Sequence, residues 1–460
     1  MIKNGFMSKG VNLLHPARII IISFLFGIFI GGLLLKLPQA TTGESLSWID
    51  AFFTSTSAIC VTGLVVVDTG TRFSVFGQSV ILFLIQLGGL GIMVFSAFFI
   101  MLFGRNLSMR DRFMAKESLL GQISYKKLFS VLKYIMAVTF SVELAGAVIL
   151  FLRFKVTHST DSALYDAVFH SISAYCNAGF SLYRDSLTGF SGDYIINFTM
   201  MILIILGGLG FPVLYELIYG VVLKKQGEAY RLSLHCRIVL ITTAVLLLTG
   251  AVFLYLLELR NSSTGGSGLS VLEAVFQSVT ARTAGFNTVD LRRMSNPALF
   301  FMIMLMFIGG SPASTAGGIK TTTFAIFLGL IWARFKGRDR VDLFHRVLPN
   351  EIIYKVLSII VGSLFLVICV NIVLQVTEFG FLSHEVVKGS FLMTLFETTS
   401  AFGTVGLSMG LTPSLTMLGK LIIMMTMLIG RIGPLTFVLA LIYTTSKQRF
   451  EYPEDGAMVG

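Results

Sequence analysis

Ser400-Ala401-Phe402-Gly403-Thr404-Val405-Gly406-Leu407 is an uncharged segment centred on glycine, set between two long apolar runs. Its texture recurs at Ser57-Ala58-Ile59-Cys60-Val61-Thr62-Gly63-Leu64, at Ser173-Ala174-Tyr175-Cys176-Asn177-Ala178-Gly179-Phe180 and at Thr280-Ala281-Arg282-Thr283-Ala284-Gly285-Phe286. The shared glycines, Gly63, Gly179, Gly285 and Gly406, lie 116, 106 and 121 residues apart. The third segment aligns on its glycine and the following Phe, with its Thr-Ala pair one residue out of step. A second glycine landmark follows each: Gly88-Gly89-Leu90-Gly91 after 25 residues, Gly207-Gly208-Leu209-Gly210 after 28, and Gly309-Gly310 and Gly430 each after 24. Two landmarks in one order, four times over, define an internal repeat.

Each repeat has three parts. A long apolar run opens it (19–35, 134–152, 238–257, 356–377) and another closes it (76–104, 195–223, 298–333, 417–446). Between them a shorter segment starts after Asp50, Asp166, Glu273 or Lys388. It offers about ten to twelve helical residues before its glycine, too few to cross a bilayer at 1.5 Å each. Such a segment enters the membrane and returns, which is tolerated only where its backbone is buried in protein or lines water. The expected fold is therefore an all-α membrane protein with four membrane helix–pore loop–membrane helix units around one pore. The units span 15–120, 121–230, 231–345 with a broken closing helix, and 346–460 with a C-terminal tail.

Composition fixes the solvent. Apolar residues make up 55% and charged residues 13% of 460 positions, against roughly 45–50% and 25% in soluble domains. The formal charge of +11 could suggest nucleic acid, but its location does not. Of 35 Lys and Arg, 22 fall in five places: up to Arg18, 105–133, 224–237, 334–355 and after Ser446. These alternate with segments holding Glu44, Asp161, Asp193, Glu258, Glu378 and Glu385. This positive-inside pattern predicts eight transmembrane helices in a plasma or cell inner membrane, with cytoplasmic N- and C-termini. No basic face with aromatic platforms for nucleic acid is evident. The first apolar run, followed by Lys36-Leu37-Pro38-Gln39-Ala40, lacks a small-x-small cleavage site and reads as a retained span. Neither the four cysteines nor the six histidines have metal-ligand spacing, and no nucleophile–base pair falls in a span, which argues against an enzyme.

The pore segments point to a cation. Val61, Thr62, Gly63, Leu64; Asn177, Ala178, Gly179, Phe180; Thr283, Ala284, Gly285, Phe286; and Thr404, Val405, Gly406, Leu407 carry no charge, with Arg282 at the edge of one. Glycine lets such a strand turn its carbonyls towards a common axis. Rings of carbonyls replace the water of a dehydrated monovalent cation. An anion pore would use Arg or Lys there, and a calcium pore a ring of carboxylates. The second landmark, at Gly88–Gly91 and Gly207–Gly210, reads equally as close helix packing or as a pore-lining bend.

Thr404-Val405-Gly406-Leu407 resembles the Thr-Val-Gly-Tyr filter of potassium channels, and the four-repeat plan over 15–446 resembles the Trk/Ktr/HKT superfamily of potassium transporters, most like its KtrB branch. The resemblance implies that Gly63, Gly179, Gly285 and Gly406 are filter glycines. It also implies a homodimer in the lipid bilayer, seated on a cytoplasmic ring of nucleotide-binding KtrA-like proteins. Potassium is the transported ion, sodium a candidate activator, and no cofactor is expected in this chain. A second class of function, a symporter working by alternating access, would draw on inverted repeats. Here each repeat starts on the basic side, which favours a pore.

The third repeat departs from the rest. Gly309-Gly310-Ser311-Pro312-Ala313-Ser314-Thr315-Ala316-Gly317-Gly318-Ile319-Lys320 has poor helix propensity and sits in a 40-residue stretch (294–333) whose only charge is Lys320. Two half-helices joined by an unwound loop below the filter are expected. The resemblance makes Gly309, Gly310, Ser311, Ser314, Thr315, Gly317, Gly318 and Lys320 an intramembrane gate. It is not a phosphate loop, because Ile319 separates Gly318 from Lys320. Lys320 and Arg431 lie within spans and require water or a partner, for which Glu143 and Glu216 are candidates. Arg431 is expected at the level of the loop, as part of the gate, where its five donors can bind the free carbonyls of the unwound segment; pairing with Glu143 or Glu216 is the competing reading. Asp68, Asp185 and Asp290, five or six residues after the first three filter glycines, could concentrate cations at the outer mouth.

Overall fold

A computed structural model of the chain describes residues 16–91, 125–157, 159–225, 230–259, 261, 268–380, 382–383, 385 and 387–441. The fold is mostly helical. The first repeat holds α1 (Pro16–Lys36), α2 (Trp48–Ile59) and α3 (Val75–Leu90); the second holds α4 (Tyr125–Phe154), α5 (Thr160–Tyr175), α6 (Tyr194–Leu209) and α7 (Phe211–Lys225). The third holds α8 (Leu234–Glu258), α9 (Val271–Thr280), α10 (Asn296–Phe307) and α11 (Thr321–Phe335). The fourth holds α12 (Asn350–Phe379), α13 (Ser390–Gly403), α14 (Met417–Ile432) and α15 (Pro434–Leu441). Between α11 and α12 a two-residue hairpin pairs β1 (Asp342–Leu343) with β2 (Arg346–Val347).

Helices long and apolar enough to cross a hydrocarbon core are, among the described residues, Leu132–Phe154, Leu234–Glu258 and Asn350–Phe379; α6 and α7 reach that length only as a pair bent by 100°. The closing runs that the sequence presents as continuous, 76–104 among them, are interrupted. α3, α6 and α14 stop at Gly91, Gly210 and Gly433, with φ of 82°, 83° and 95°. Only glycine takes these angles cheaply, so each of these helices ends at its glycine, and at Gly210 the chain turns into α7. Residues 92–104 lie outside the described residues.

Burial is inverted relative to a soluble protein. Phe26, Leu144, Leu248 and Phe365 are exposed on the long helices, while Ser55, Ser57, Thr62, Ser173, Thr280 and Ser400 are buried. Apolar side chains facing outwards need a bilayer around them.

The short helices form the centre and are 12, 16, 10 and 14 residues long. Their starts differ from the acid-based expectation. α2 and α9 begin two or three residues earlier because Ser47 and Ser270 cap them, with Asp50 and Glu273 inside the first turn; Ser270 and Glu273 make a reciprocal capping box. α5 begins at Thr160, which leaves Asp166 in its middle.

A third repeated contact fastens these helices to the opening helices. Ser55 donates to the Ile28 carbonyl at 2.8 Å, Ser171 to that of Glu143 at 2.6 Å and Ser278 to that of Leu247 at 2.8 Å. Gly31, Gly146 and Gly250, three residues further along each opening helix, make room for those serines. In the fourth repeat Thr398 stands in this position, and its buried hydroxyl has no such partner. Repeats four and one are joined by the Lys420–Asp50 ion pair at 2.7 Å.

Candidate pore and gate loop

The four glycine segments meet in a closed ring. A Cβ added to Gly63 would collide with the Ala178 carbonyl and lie 2.9 Å from the Gly179 Cα. One on Gly179 would lie 2.9 Å from the Ala284 carbonyl oxygen and the Gly285 Cα, and one on Gly285 would be 3.3 Å from the Gly406 Cα. One on Gly406 would meet the Thr62 carbonyl and lie 3.0 Å from the Gly63 Cα. The order 63, 179, 285, 406 and back to 63 is that of four strands around one axis. At each glycine no side chain larger than hydrogen fits.

The backbone of each segment has one signature. The glycines have φ of 91°, 70°, 79° and 91°, and the residues two positions earlier, Val61, Asn177, Thr283 and Thr404, are also left-handed at 55°, 58°, 74° and 50°. β-branched residues with such angles are strained, and the strain is held by hydrogen bonds from the short helices. Thr62, Ala178 and Val405 donate their N–H groups to the carbonyls of Ser57, Ser173 and Ser400 at 2.8 Å, five residues back. In the third repeat Ala284 donates to Thr280 at 3.0 Å, only four back. Ser57 and Ser400 hydroxyls accept from the N–H of Gly63 and Gly406 at 3.1 Å. Those of Ser173 and Thr280 donate to the carbonyls of Phe180 and Phe286 at 2.8 and 2.5 Å.

Side chains of Leu64, Phe180, Phe286 and Leu407 pack into the apolar core. The residue after each glycine therefore commits its side chain to the core and not to the ring. The C-terminal ends of α2, α5, α9 and α13 lead directly into the ring and carry partial negative charge.

The second landmark divides its work between glycines. A Cβ at Gly88, Gly207 or Gly430 would overlap the carbonyl of Ile59, Tyr175 or Phe402, each at the end of a short helix. These glycines serve packing, while Gly91, Gly210 and Gly433 end their helices with positive φ. In the third repeat the equivalent Gly309 packs on the Gly317 carbonyl, within the loop itself.

That loop joins α10 to α11 and contacts the second and fourth repeats. Ser311 donates its N–H to the Gly208 carbonyl at 3.0 Å and its hydroxyl to that of Leu209, while Phe211 donates to the Ala313 carbonyl at 3.2 Å. Gly317 donates to the Thr404 hydroxyl at 3.1 Å. Its own closure comes from Gly309 to Ile319 at 2.9 Å, Ser314 hydroxyl to Ser311 carbonyl at 2.7 Å, and Lys320 Nζ to Ala316 carbonyl at 2.6 Å. A Cβ on Gly318 would lie 3.3 Å from the Gly403 Cα, and one on Gly310 2.7 Å from the Ala316 Cβ. The loop lies against Thr283 and Thr404, the first residues of two of the glycine segments.

Arg431 reaches this loop. Its guanidinium donates to the carbonyls of Thr315 and Gly88. The acids considered as partners are engaged elsewhere. Glu143 accepts from Gln86 at 3.1 Å and lies 3.8 Å from the Cys176 thiol, and Glu216 binds the hydroxyl of Ser233 at 2.6 Å. Free carbonyls, plentiful where a helix unwinds, satisfy both basic residues instead.

The outer acids have separate duties. Asp68 caps a helical turn through the Thr71 N–H at 2.7 Å. Asp290 pairs with Arg292 at 3.1 Å and Arg293 at 3.7 Å. Burial acts to raise its pKa, but hydrogen bonds from Arg292 and both positive charges outweigh this and hold the carboxyl below the usual range. Asp185 is exposed. Sequence reasoning also missed Glu397, wholly buried on α13, which accepts from Ser408 at 2.7 Å and from Thr412.

Four short central helices that run into one ring of backbone, surrounded by helices with apolar outer faces, define an all-α membrane protein. The family described as "TrkH: Cation transport protein" matches residues 15–452, and the chain belongs to that family. It is 41% identical to Ktr system potassium uptake protein B of Bacillus subtilis over 449 residues, covering 97% of each chain. It is 42% identical to the protein of that name from Vibrio alginolyticus, over 96% of this chain and 94% of the other. The potassium/sodium uptake protein NtpJ of Enterococcus hirae is 37% identical, over 97% and 98%. The fold is that of the potassium transporter TrkH from Vibrio parahaemolyticus: TM-score 0.71 at 19% identity, covering 95% of this chain and 87% of that one. The chain is thus a multi-pass membrane protein.

Proposed function

We propose that this chain is the pore-forming subunit of a Ktr-type system that takes up potassium across the cell membrane. The observation that carries the reading is the closed ring of Gly63, Gly179, Gly285 and Gly406, an uncharged backbone constriction. Carbonyls preceding those glycines would take the place of water around potassium. The near-full-length similarity to two Ktr system potassium uptake proteins supports the choice of ion.

In this reading the four repeats contribute eight crossings, with both termini cytoplasmic, and the loop from Gly309 to Lys320 is a gate on the cytoplasmic side of the filter. Arg431 holds the gate shut and adds a repulsive charge in the ion's path. The protein works as a homodimer on a KtrA-like nucleotide-binding ring, for which the word "system" in the relatives' names is the support. Sodium is a candidate activator, in keeping with the paired ions in the name of the Enterococcus relative.

The deciding experiment is flux into liposomes containing this chain alone, comparing potassium, rubidium and sodium. Potassium and rubidium entering well ahead of sodium, with flux rising in proportion to concentration, is the expected result. Tight saturation with a fixed counter-ion ratio would instead mean alternating access.

A further inference from the structure

In two repeats the short helix that ends at the ring also holds the chain beyond it. His170 on α5 and Glu397 on α13 stand nine residues before Gly179 and Gly406, and Ser181 and Ser408 stand two residues after them. The Ser408 hydroxyl donates to one oxygen of Glu397 at 2.7 Å, and the Thr412 hydroxyl donates to the other. The Ser181 hydroxyl meets Nε2 of His170 at 3.1 Å, and the Leu182 N–H reaches the same nitrogen at 3.4 Å. The Asp166 carbonyl, 2.7 Å from Nδ1, can only accept, so Nδ1 carries the proton and Nε2 accepts from Ser181.

The two bridges continue alike. Each serine accepts the N–H two residues further on, of Tyr183 or Gly410, at 3.0 Å. Tyr183 then stacks on the imidazole, with ring centroids 4.9 Å apart, and its hydroxyl donates to Asp166 at 3.0 Å. His170 and Glu397 are both fully buried. Burying such groups is costly unless they are hydrogen-bonded, and here the chain beyond the glycine supplies the donors.

The other two quadrants differ. In the first repeat Thr54 and Val65 hold the matching places, and the Thr54 hydroxyl donates to Asp50 of its own helix at 2.8 Å. In the third, Gln277 reaches the Thr288 hydroxyl only at 3.4 Å. The strong bridges thus lie in the second and fourth quadrants, which the order of the ring sets opposite each other.

The bridged segments need such a hold. Asn177, Thr404 and the two glycines are left-handed, and strained backbone persists only where its surroundings fix it. The inner tie is the N–H bond of Ala178 or Val405 to the short helix. The bridge is an outer tie to that same helix.

We propose that His170 and Glu397 are positioning residues that set the spacing of the ring through Ser181 and Ser408, and with it the preference for potassium over the smaller sodium. The inference rests on the reading of the ring as a potassium filter. Neither side chain touches the ion. A ring tied at both ends across one diagonal resists contracting around a smaller cation, so its carbonyls replace the water of potassium better than that of sodium.

The test measures potassium, rubidium and sodium flux into liposomes containing the full chain, with thermal unfolding of each variant in detergent. Ser181→Ala and Ser408→Ala each remove one hydroxyl from a half-buried position. Each should lower the potassium-over-sodium ratio roughly threefold, while the unfolding midpoint moves by no more than about 2 °C. Glu397→Gln keeps the shape and one acceptor oxygen, and should give a smaller drop. Added to Ser408→Ala it should lower the ratio no further, because both act through one bond. An unchanged ratio in both serine variants, with or without a lower midpoint, would overturn the positioning role and leave the filter reading intact. So would losses from Glu397→Gln and Ser408→Ala that multiply. Wild type passing sodium as readily as potassium would overturn the filter reading, and this inference with it. If Glu397→Gln does not fold, the two serine variants decide.

Discussion

Arg431 donates to the carbonyl of Thr315, 116 positions earlier and in a different repeat, and to that of Gly88 in a third. One side chain therefore ties the loop to the end of the first repeat's closing helix. A planar fork of donors can do this, whereas a single ammonium makes fewer of these bonds.

Replacing Arg431 by Gln should raise basal potassium flux roughly tenfold, because charge-assisted hydrogen bonds worth about 1.5–3 kcal/mol each are lost from the closed arrangement. Lys should give an intermediate flux. Charge reversal at Glu143 should rescue nothing, since Glu143 does not touch Arg431. Flux per folded protein for Gln and Lys variants checks this, and a Lys variant like wild type beside an unstable Gln variant would remove Arg431 from gating.

Gly63→Ser forces a side chain against the Ala178 carbonyl at a φ of 91°. One quarter of the ring must move. Potassium-over-sodium selectivity is expected to fall roughly tenfold, equivalent to about 1.4 kcal/mol, with the protein still folded. An unchanged permeability ratio in a well-expressed variant would falsify the filter role of this segment.

Shortening the loop within Gly310–Gly317 removes the bonds to Thr404, Arg431 and the Gly208 carbonyl. Flux should rise and depend less on the cytoplasmic partner. Reduced flux from an oligomer of normal size would show that the loop supports the pore and does not obstruct it.

Lys420→Met breaks the ion pair with Asp50, whose partners are 14% and 19% exposed. Partial exposure limits the expected loss of stability to about 1–2 kcal/mol. The double variant with Asp50→Asn should recover part of it. Thermal unfolding of the three variants measures the coupling, and strictly additive losses would mean that the pair contributes nothing.

The ring of Gly63, Gly179, Gly285 and Gly406 was legible in the sequence because close approach of four backbones excludes side chains, and that exclusion leaves glycine at fixed intervals. The loop was legible for a similar reason: Gly309 to Gly318 is too glycine-rich to be helix. The Ser55–Gly31 contact and its counterparts were not, because a serine and a glycine in an apolar run look like any others until two helices are brought together. Of the partners of Arg431, the loop carbonyl was legible, because an unwound loop must leave carbonyls free for a guanidinium. The Gly88 carbonyl was hidden, since every residue possesses one, and the competing search for an opposite charge led to Glu143 and Glu216. The bend at Gly210 was half visible, as one of two readings of Gly207–Gly210.

The shorter register of the third repeat, with Ala284 bonded to Thr280 where the others reach back one residue more, bears on how such a chain can be rebuilt. Three quadrants share a residue count and the fourth does not. Transplanting Ser57–Leu64 over the third segment would therefore insert a residue between a short helix and its glycine, and would replace Arg282 by the cysteine that precedes Gly63 by three residues. A perfectly fourfold version of this protein cannot be made by copying one repeat four times: the odd quadrant is the one that carries the loop, and its asymmetry belongs to the working part.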